Sequence, residues 1–281
     1  MGLYSNMDVL ITGGSGMVGA AITEYLGDDD RFAFQVLDIE EHPEVPTTVA
    51  SVEDYSAIRP AFNGIDAVVH LAVYPPGIID ENWERIYAVN VHGTYNVLEA
   101  CRDAGVDQVV FASTNHVVGM YEEEFAPEIY GPDSEILIDH TDPVRPDSYY
   151  GVSKLFSEHL GRFYVEKKRT PDQFYALRIC SLREPEYDHP YGDAEKAVEE
   201  GEIERGSEKY EEKVARMKSM WFSRRDCAHM VERMLIDDSV SFDVFYGVSG
   251  NDRRWHNIEH AKEVLGYDPQ DNGEEWDGPP E

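Results

Sequence analysis

Thr12-Gly13-Gly14-Ser15-Gly16-Met17-Val18-Gly19 joins a short apolar run at 8–12 to a stretch with helical apolar spacing at 17–26. A backbone free of Cβ atoms can approach a pyrophosphate closely. The helix start beyond it offers unpaired N–H groups and a partial positive charge to the phosphates. The glycines at 13, 16 and 19 alone would also fit a plain tight turn. The strand before them, the helix after them and an acid about 20 residues on make this a dinucleotide-binding turn. That acid is Asp38, at the end of a second run at 34–38. Its carboxylate can accept hydrogen bonds from ribose hydroxyls and repels a 2′-phosphate, which favours NAD and leaves NADP as the alternative. Glu40 and Glu41 nearby also allow the plainer reading of Asp38 as one acid on an acidic surface.

Outward from this turn, apolar runs at 66–72, 108–113 and 174–179 alternate with helical periodicity at 83–104 and 149–168. Strands alternating with helices imply a parallel sheet covered on both faces. The expected fold class is α/β, a Rossmann-type doubly wound parallel sheet with a small C-terminal substrate lobe. The expected division is a nucleotide-binding domain at 7–180 and a substrate lobe at 181–281, whose strand and helix return to the main domain. Residues 193–220 read as one charged helix with few apolar positions: a solvated helix, or a lid or subunit contact over the substrate. Beyond it follow a helix at 224–236, a strand at 242–246 and a helix at 258–265. The tail from Asp268, rich in Pro, Gly and acid, reads as frayed.

The chain carries 56 Asp and Glu against 24 Lys and Arg, a formal net charge of −32 that is spread along its length. Such a surface repels itself at low salt, whereas at molar salt the Debye length falls to about 3 Å and the repulsion is screened. This suggests a halophilic protein of a salt-rich cytoplasm, and it argues against nucleic acid and anionic membranes as partners. Cys101, Cys180 and Cys227 are odd in number and lack metal-ligand spacing, so reduced thiols and no metal are expected. No apolar run reaches membrane-span length.

Tyr150-Gly151-Val152-Ser153-Lys154 puts Tyr150 and Lys154 one helical turn apart on one face. A phenol of pKa near 10 is a poor base at neutral pH, and a nearby ammonium lowers that value. A chance Tyr–Lys pair on a helix surface is the alternative.

The glycine turn, Asn90-Val91-His92-Gly93-Thr94, Phe111-Ala112-Ser113-Thr114-Asn115-His116 and the Tyr150/Lys154 pair occur in an order and spacing that resemble the extended short-chain dehydrogenases/reductases, the NAD-dependent epimerase/dehydratase family. Arg145-Pro146-Asp147, Arg178-Ile179-Cys180-Ser181 and Met220-Trp221-Phe222-Ser223 are similar to the uronate dehydrogenases and to halophilic relatives that oxidise aldoses or sugar phosphates at C1. The resemblance implies an NAD(P)-dependent sugar dehydrogenase that forms a lactone. Tyr150 would be the acid/base, Lys154 would lower its pKa and hold the nicotinamide ribose, and Thr114 would hold the reacting oxygen. Gly13, Ser15, Gly16, Met17, Val18, Gly19, Asp38, Ser51, Val52, Leu71, Ala72, Asn90 and Ile179 would serve the cofactor. Ser51 stands where family members carry an acid.

By the same resemblance Asn115, His116, Ser181 and Arg216 line the sugar pocket. His116 also fits a merely packed side chain, and Arg216 a solvated ion pair. Pro75 stands where uronate dehydrogenases carry a hydroxyl. Trp255 fits either a sugar-stacking ring or a core residue. The long helices imply a homo-oligomer with a four-helix interface. The rival readings are a nucleotide-sugar epimerase or dehydratase, which shows no net cofactor reduction, and a non-catalytic NAD-binding regulator.

Overall fold

The computed structural model describes residues 6–74 and 82–280; Pro75 lies outside them. The elements in chain order are β1 (Met7–Thr12), α1 (Met17–Leu26), β2 (Phe32–Asp38), β3 (Thr47–Val49), α2 (Tyr55–Ile58), β4 (Ala67–His70), α3 (Trp83–Ile86), α4 (Thr94–Ala104), β5 (Gln108–Thr114), α5 (Gly119–Phe125), α6 (Tyr149–Phe163), β6 (Gln173–Ile179), α7 (Gly192–Glu199), α8 (Glu208–Met220), α9 (Arg224–Ile236), β7 (Phe242–Gly247) and α10 (Glu259–Leu265). The strands form one sheet in the order β3-β2-β1-β4-β5-β6-β7, and every adjacent pair is parallel.

The central strands are apolar at successive positions through their middles because both faces are buried. Val9 and Ile11 of β1 pack into one core, and Leu10 between them into the other. In β5, Val110 and Ala112 face the first core while Val109 and Phe111 face the second. Successive side chains of a strand point to opposite faces, so a continuous apolar run serves two helical layers. α1 and α9 pack on each other over the first core, and α4 and α6 cover the second. Because all strands run the same way, their C-terminal ends open on one edge, and the order reverses between β1 and β4. That reversal is where an open α/β sheet leaves a crevice.

Four expectations change. The helix expected at 83–104 is continuous but widens into a π-helical turn over Tyr87–Gly93. The charged helix expected at 193–220 is two helices, α7 and α8, with Gly201 and Gly206 between them at φ +74° and +77°. The left-handed glycines let the chain turn back. Ala194, Tyr210 and Val214 then form a small core of their own, so this is a packed hairpin and not a solvated rod. Met217 and Met220 of α8 are fully buried.

The tail from Asp268 is not frayed. Gln270 donates its N–H to Asp226 (2.7 Å), Gly250 donates to the Asp271 carbonyl (2.8 Å), and Trp276 stacks on His189 with ring centroids 5.6 Å apart. Composition could not show these partners, which come from distant parts of the chain. Trp255 is fully buried, packed on His256 at a ring separation of 3.7 Å, and cannot stack on a sugar.

Gly19 sets how closely α1 approaches its own turn. A Cβ there would sit 2.2 Å from the Gly14 carbonyl oxygen, a backbone atom that cannot swing away. Gly19→Ala is expected to cost about 1–3 kcal/mol through overpacking. Differential scanning fluorimetry in molar salt should show a melting temperature lower by several degrees; an unchanged value would mean the turn has slack.

Candidate active site

The crevice between β1 and β4 is a cavity of about 710 Å³. Gly13, with φ +73°, forms one lip. A Cβ on it would lie 2.5 Å from the Ala72 nitrogen, so only glycine lets the turn lie against the residues after β4. At Gly16 a Cβ would meet only the Gly13 carbonyl, at 3.4 Å, and would otherwise project into the space a ligand needs. α1 begins at Gly16 with no side-chain cap, leaving its first N–H groups open.

Asp38 accepts hydrogen bonds from the backbone N–H of Ser15 (2.9 Å) and of Ile39 (2.6 Å). It ties the turn to the end of β2 while its side chain faces the cavity. Ser51, Val52, Leu71, Ala72 and Ile179 line the same cavity, as do Ser15, Met17 and Val18. An open helix start for phosphates, a carboxylate for a ribose and an apolar wall for a flat ring fit a dinucleotide. Gly19 and Asn90 do not line it. Gly19 acts through packing.

Asn90 is buried in the π-helical turn. Its Oδ1 accepts from the Tyr74 N–H (2.8 Å) and its Nδ2 donates to Ser153 Oγ (3.1 Å). It therefore clamps the segment after β4 to α6.

A second cavity of about 250 Å³ adjoins the first, and Tyr150 lines both. Tyr150 sits in the first turn of α6, whose N-cap Ser148 accepts from the Gly151 N–H (3.1 Å). A Cβ on Gly151 would lie 2.5 Å from the His116 carbonyl oxygen, so this glycine brings α6 against the segment after β5. There Thr114 and Tyr150 line the same cavity, and the Thr114 hydroxyl favours the phenolate. Thr114 Oγ1 also accepts from the His116 N–H (3.2 Å). His116 Nδ1 lies 2.6 Å from Asp147 Oδ2. Asn115 is buried, and its Nδ2 has no hydrogen-bond partner among the described residues. Asn115, His116, Ser181 and Arg216 all line this cavity.

The electrostatics differ from the simple expectation. Lys154 is buried and donates to the Ala112 carbonyl (2.6 Å), with its Nζ 5.8 Å from the centre of the Tyr150 ring. Burial pushes the Tyr150 phenol well above its ordinary value, and the Thr114 hydroxyl only partly offsets this. The Lys154 ammonium hydrogen-bonds the Ala112 carbonyl and not the phenol. Burial also lowers Lys154 itself, from 10.5 to about 7, against the pull of Glu158 one turn further along α6.

Sequence reading missed three contributors. Glu158 is buried in a two-pronged pair with Arg178 of β6 (3.0 and 2.9 Å) and accepts from Ser113. Ser113 thus faces away from Thr114, as strand alternation requires. His70 bridges Thr12 Oγ1 (2.7 Å) and Thr94 Oγ1 (3.1 Å). Thr94 donates its single proton to the Asn90 carbonyl (2.7 Å), so it accepts from His70 Nε2–H, and Nδ1 accepts from Thr12. Burial holds this imidazole neutral, its pKa near 3. Arg183 lines the small cavity. None of these carries a motif; Glu158 and His70 are defined by partners far away in sequence, and Arg183 by its place on the cavity wall.

A doubly wound parallel sheet, a glycine turn at its crossover and a half-buried tyrosine beside a buried lysine and threonine where two cavities meet define a dinucleotide-dependent oxidoreductase. The model of the NAD dependent epimerase/dehydratase family matches residues 9–196, and the chain belongs to that family. The NAD-dependent glucose-6-phosphate dehydrogenase of Haloferax volcanii is 36% identical over 278 residues, covering 95% of each chain. The L-arabinose 1-dehydrogenase (NAD(P)(+)) of the same organism is 35% identical over 271 residues, 94% of this chain and 96% of its own. A crystal structure of uronate dehydrogenase from Agrobacterium tumefaciens complexed with NAD superposes with a TM-score of 0.73 at 25% identity, over 96% of this chain and 87% of that one.

The depressed Lys154 value has a sign that can be checked. A buried lysine whose folded pKa falls to about 7 burdens the fold fully below pH 7. The burden is relieved as pH rises from 7 toward 10.5, where the unfolded chain still holds the proton. Lys154→Met should therefore raise the melting temperature most at pH 6 and least near pH 10. A gain that does not vary with pH would remove the charge-burial argument.

Proposed function

We propose that this protein is an NAD-dependent sugar 1-dehydrogenase, oxidising the anomeric carbon of a cyclic sugar to the lactone. The observation that carries the reading is the position of Tyr150 on the wall shared by a dinucleotide-sized and a sugar-sized cavity. The similarity to C1-oxidising dehydrogenases over almost the whole chain supports it. When bound, NAD supplies the hydride acceptor. Thr114 and Tyr150 hold the C1 hydroxyl, and Tyr150, as phenolate, takes its proton and becomes the neutral phenol as the C1–H pair of electrons departs and the C1=O bond forms. Lys154 steadies the phenolate before that transfer. Asn115, whose buried Nδ2 has no partner among the described residues, donates to a sugar oxygen, and an unpaired buried donor is costly enough to favour a ligand that meets it.

Asp38, with Glu40 and Glu53 on the same wall, disfavours the extra phosphate of NADP. The small cavity suits one sugar better than a nucleotide sugar, which argues against the epimerase reading. The net charge of −32 suits a salt-rich cytoplasm.

The reading includes a homodimer joined across the two long helices. Trp83, Tyr87, Tyr95, Tyr149, Phe156 and Phe163 are exposed along them. Bulky rings gathered on one pair of helices mark an association surface. Phe156→Glu should halve the mass measured by light scattering in molar salt, and an unchanged mass would move the interface elsewhere.

The activity test is NAD and NADP reduction followed at 340 nm in molar salt with aldoses, uronates and sugar phosphates. Turnover with NAD is expected to fall by at least about 100-fold in Tyr150→Phe, the scale of a lost general base. Folded protein that binds NAD but is silent with every sugar, and that epimerises a UDP-sugar, would replace this reading.

A further inference from the structure

The small cavity inverts the charge of the chain. Acids outnumber bases by 56 to 24, yet the charged side chains on this wall are Lys154, Arg183 and Arg216, with no carboxylate among the described residues. Burying cations is costly unless something repays it. Lys154 belongs to the reacting end, beside Tyr150. The two arginines come from different places, Arg183 from the segment after β6 and Arg216 from α8.

Each guanidinium is gripped from behind. Asp193 of α7 takes Arg183 Nε and Nη2, and the Leu182 carbonyl takes Nη1 (2.8 Å). Glu122 of α5 takes Arg216 Nε (2.6 Å) and Nη2 (3.4 Å). Neither Asp193 nor Glu122 lines the cavity. A guanidinium has five N–H donors. These contacts use three on Arg183 and two on Arg216, leaving two and three. The carboxylates fix both forks in place and leave the remaining donors for a ligand.

We propose that Arg183 and Arg216 together form a phosphate subsite, so that the substrate is a sugar phosphate. The proposal rests on the dehydrogenase reading of the same cavity and deepens it. A planar carboxylate is satisfied by one guanidinium fork. A tetrahedral phosphate presents three terminal oxygens and can meet two forks at once. The ion pairs behind are neutral overall, so recognition comes from donors at contact distance and not from a long-range field. Contact recognition survives molar salt, in which long-range steering is screened.

The test compares glucose 6-phosphate, glucuronate and glucose as substrates of the wild type, Arg183→Gln and Arg183→Lys, with NAD in molar potassium chloride. The wild type should prefer glucose 6-phosphate to both others by at least about 100-fold in kcat/KM, the scale of two charged hydrogen bonds. Arg183→Gln should shrink that preference at least about tenfold, with KM moving more than kcat, and Arg183→Lys should restore part of it. If the Gln variant does not fold, the same loss of preference is read in the Lys variant. Equal or better turnover of glucose or glucuronate by the wild type overturns the phosphate subsite while leaving the dehydrogenase intact.

If no sugar is oxidised, binding decides. A melting temperature raised by glucose 6-phosphate in the wild type and not in Arg183→Gln keeps the subsite and rejects the dehydrogenase reading. No shift in either rejects both.

Discussion

Gly13 holds the turn after β1 against the backbone of Leu71 and Ala72, closer than any Cβ would allow. The large cavity and the start of α1 both take their position from this contact. The turn is supported from below by Thr12, whose hydroxyl meets the buried His70, and His70 in turn meets Thr94. Thr94 bonds the Asn90 carbonyl, and the Asn90 side chain holds Tyr74 and Ser153. The nucleotide turn, the π-helical segment and the catalytic helix are thus one connected set of hydrogen bonds. The π-helical turn places Asn90 where it can reach both sides, a recurrent use of such distortions at functional sites.

α6 carries the second constraint. Lys154 and Glu158 occupy successive turns of one face, and the sheet supplies the partners of both: the Ala112 carbonyl for the lysine and Arg178 for the glutamate. The helix is fixed by charges that cannot leave, because each would be unpaired in a buried site. The same burial raises Tyr150 and lowers Lys154.

The acidic excess is an outer property. Arginine and lysine are scarce; Arg178 beneath the site and Arg224 against Glu24 of α1 are buried, and Arg183 and Arg216 are half-buried on the wall of the small cavity. The acids remain largely at the surface, where salt screens them.

The sequence determined the sheet, its order of strands and helices, the glycine turn, Asp38 and the Tyr150/Lys154 pair, because each depends on spacing within a few residues or on an uninterrupted apolar run. The tertiary structure alone decided the roles of His70, Glu158 and Arg183, the division of the charged 193–220 segment into a packed hairpin, the anchoring of the tail after Asp268 and the burial of Trp255. For most of them the deciding partner lies far away in the chain, and a hydrogen bond or packing contact between distant residues leaves no periodicity in sequence; Arg183, paired with Asp193 in the next helix, is nearer but equally without period. Composition marked 193–220 and the tail as solvated because their charge is conspicuous, whereas the few apolar residues that pack them, such as Tyr210, Val214 and Trp276, are not.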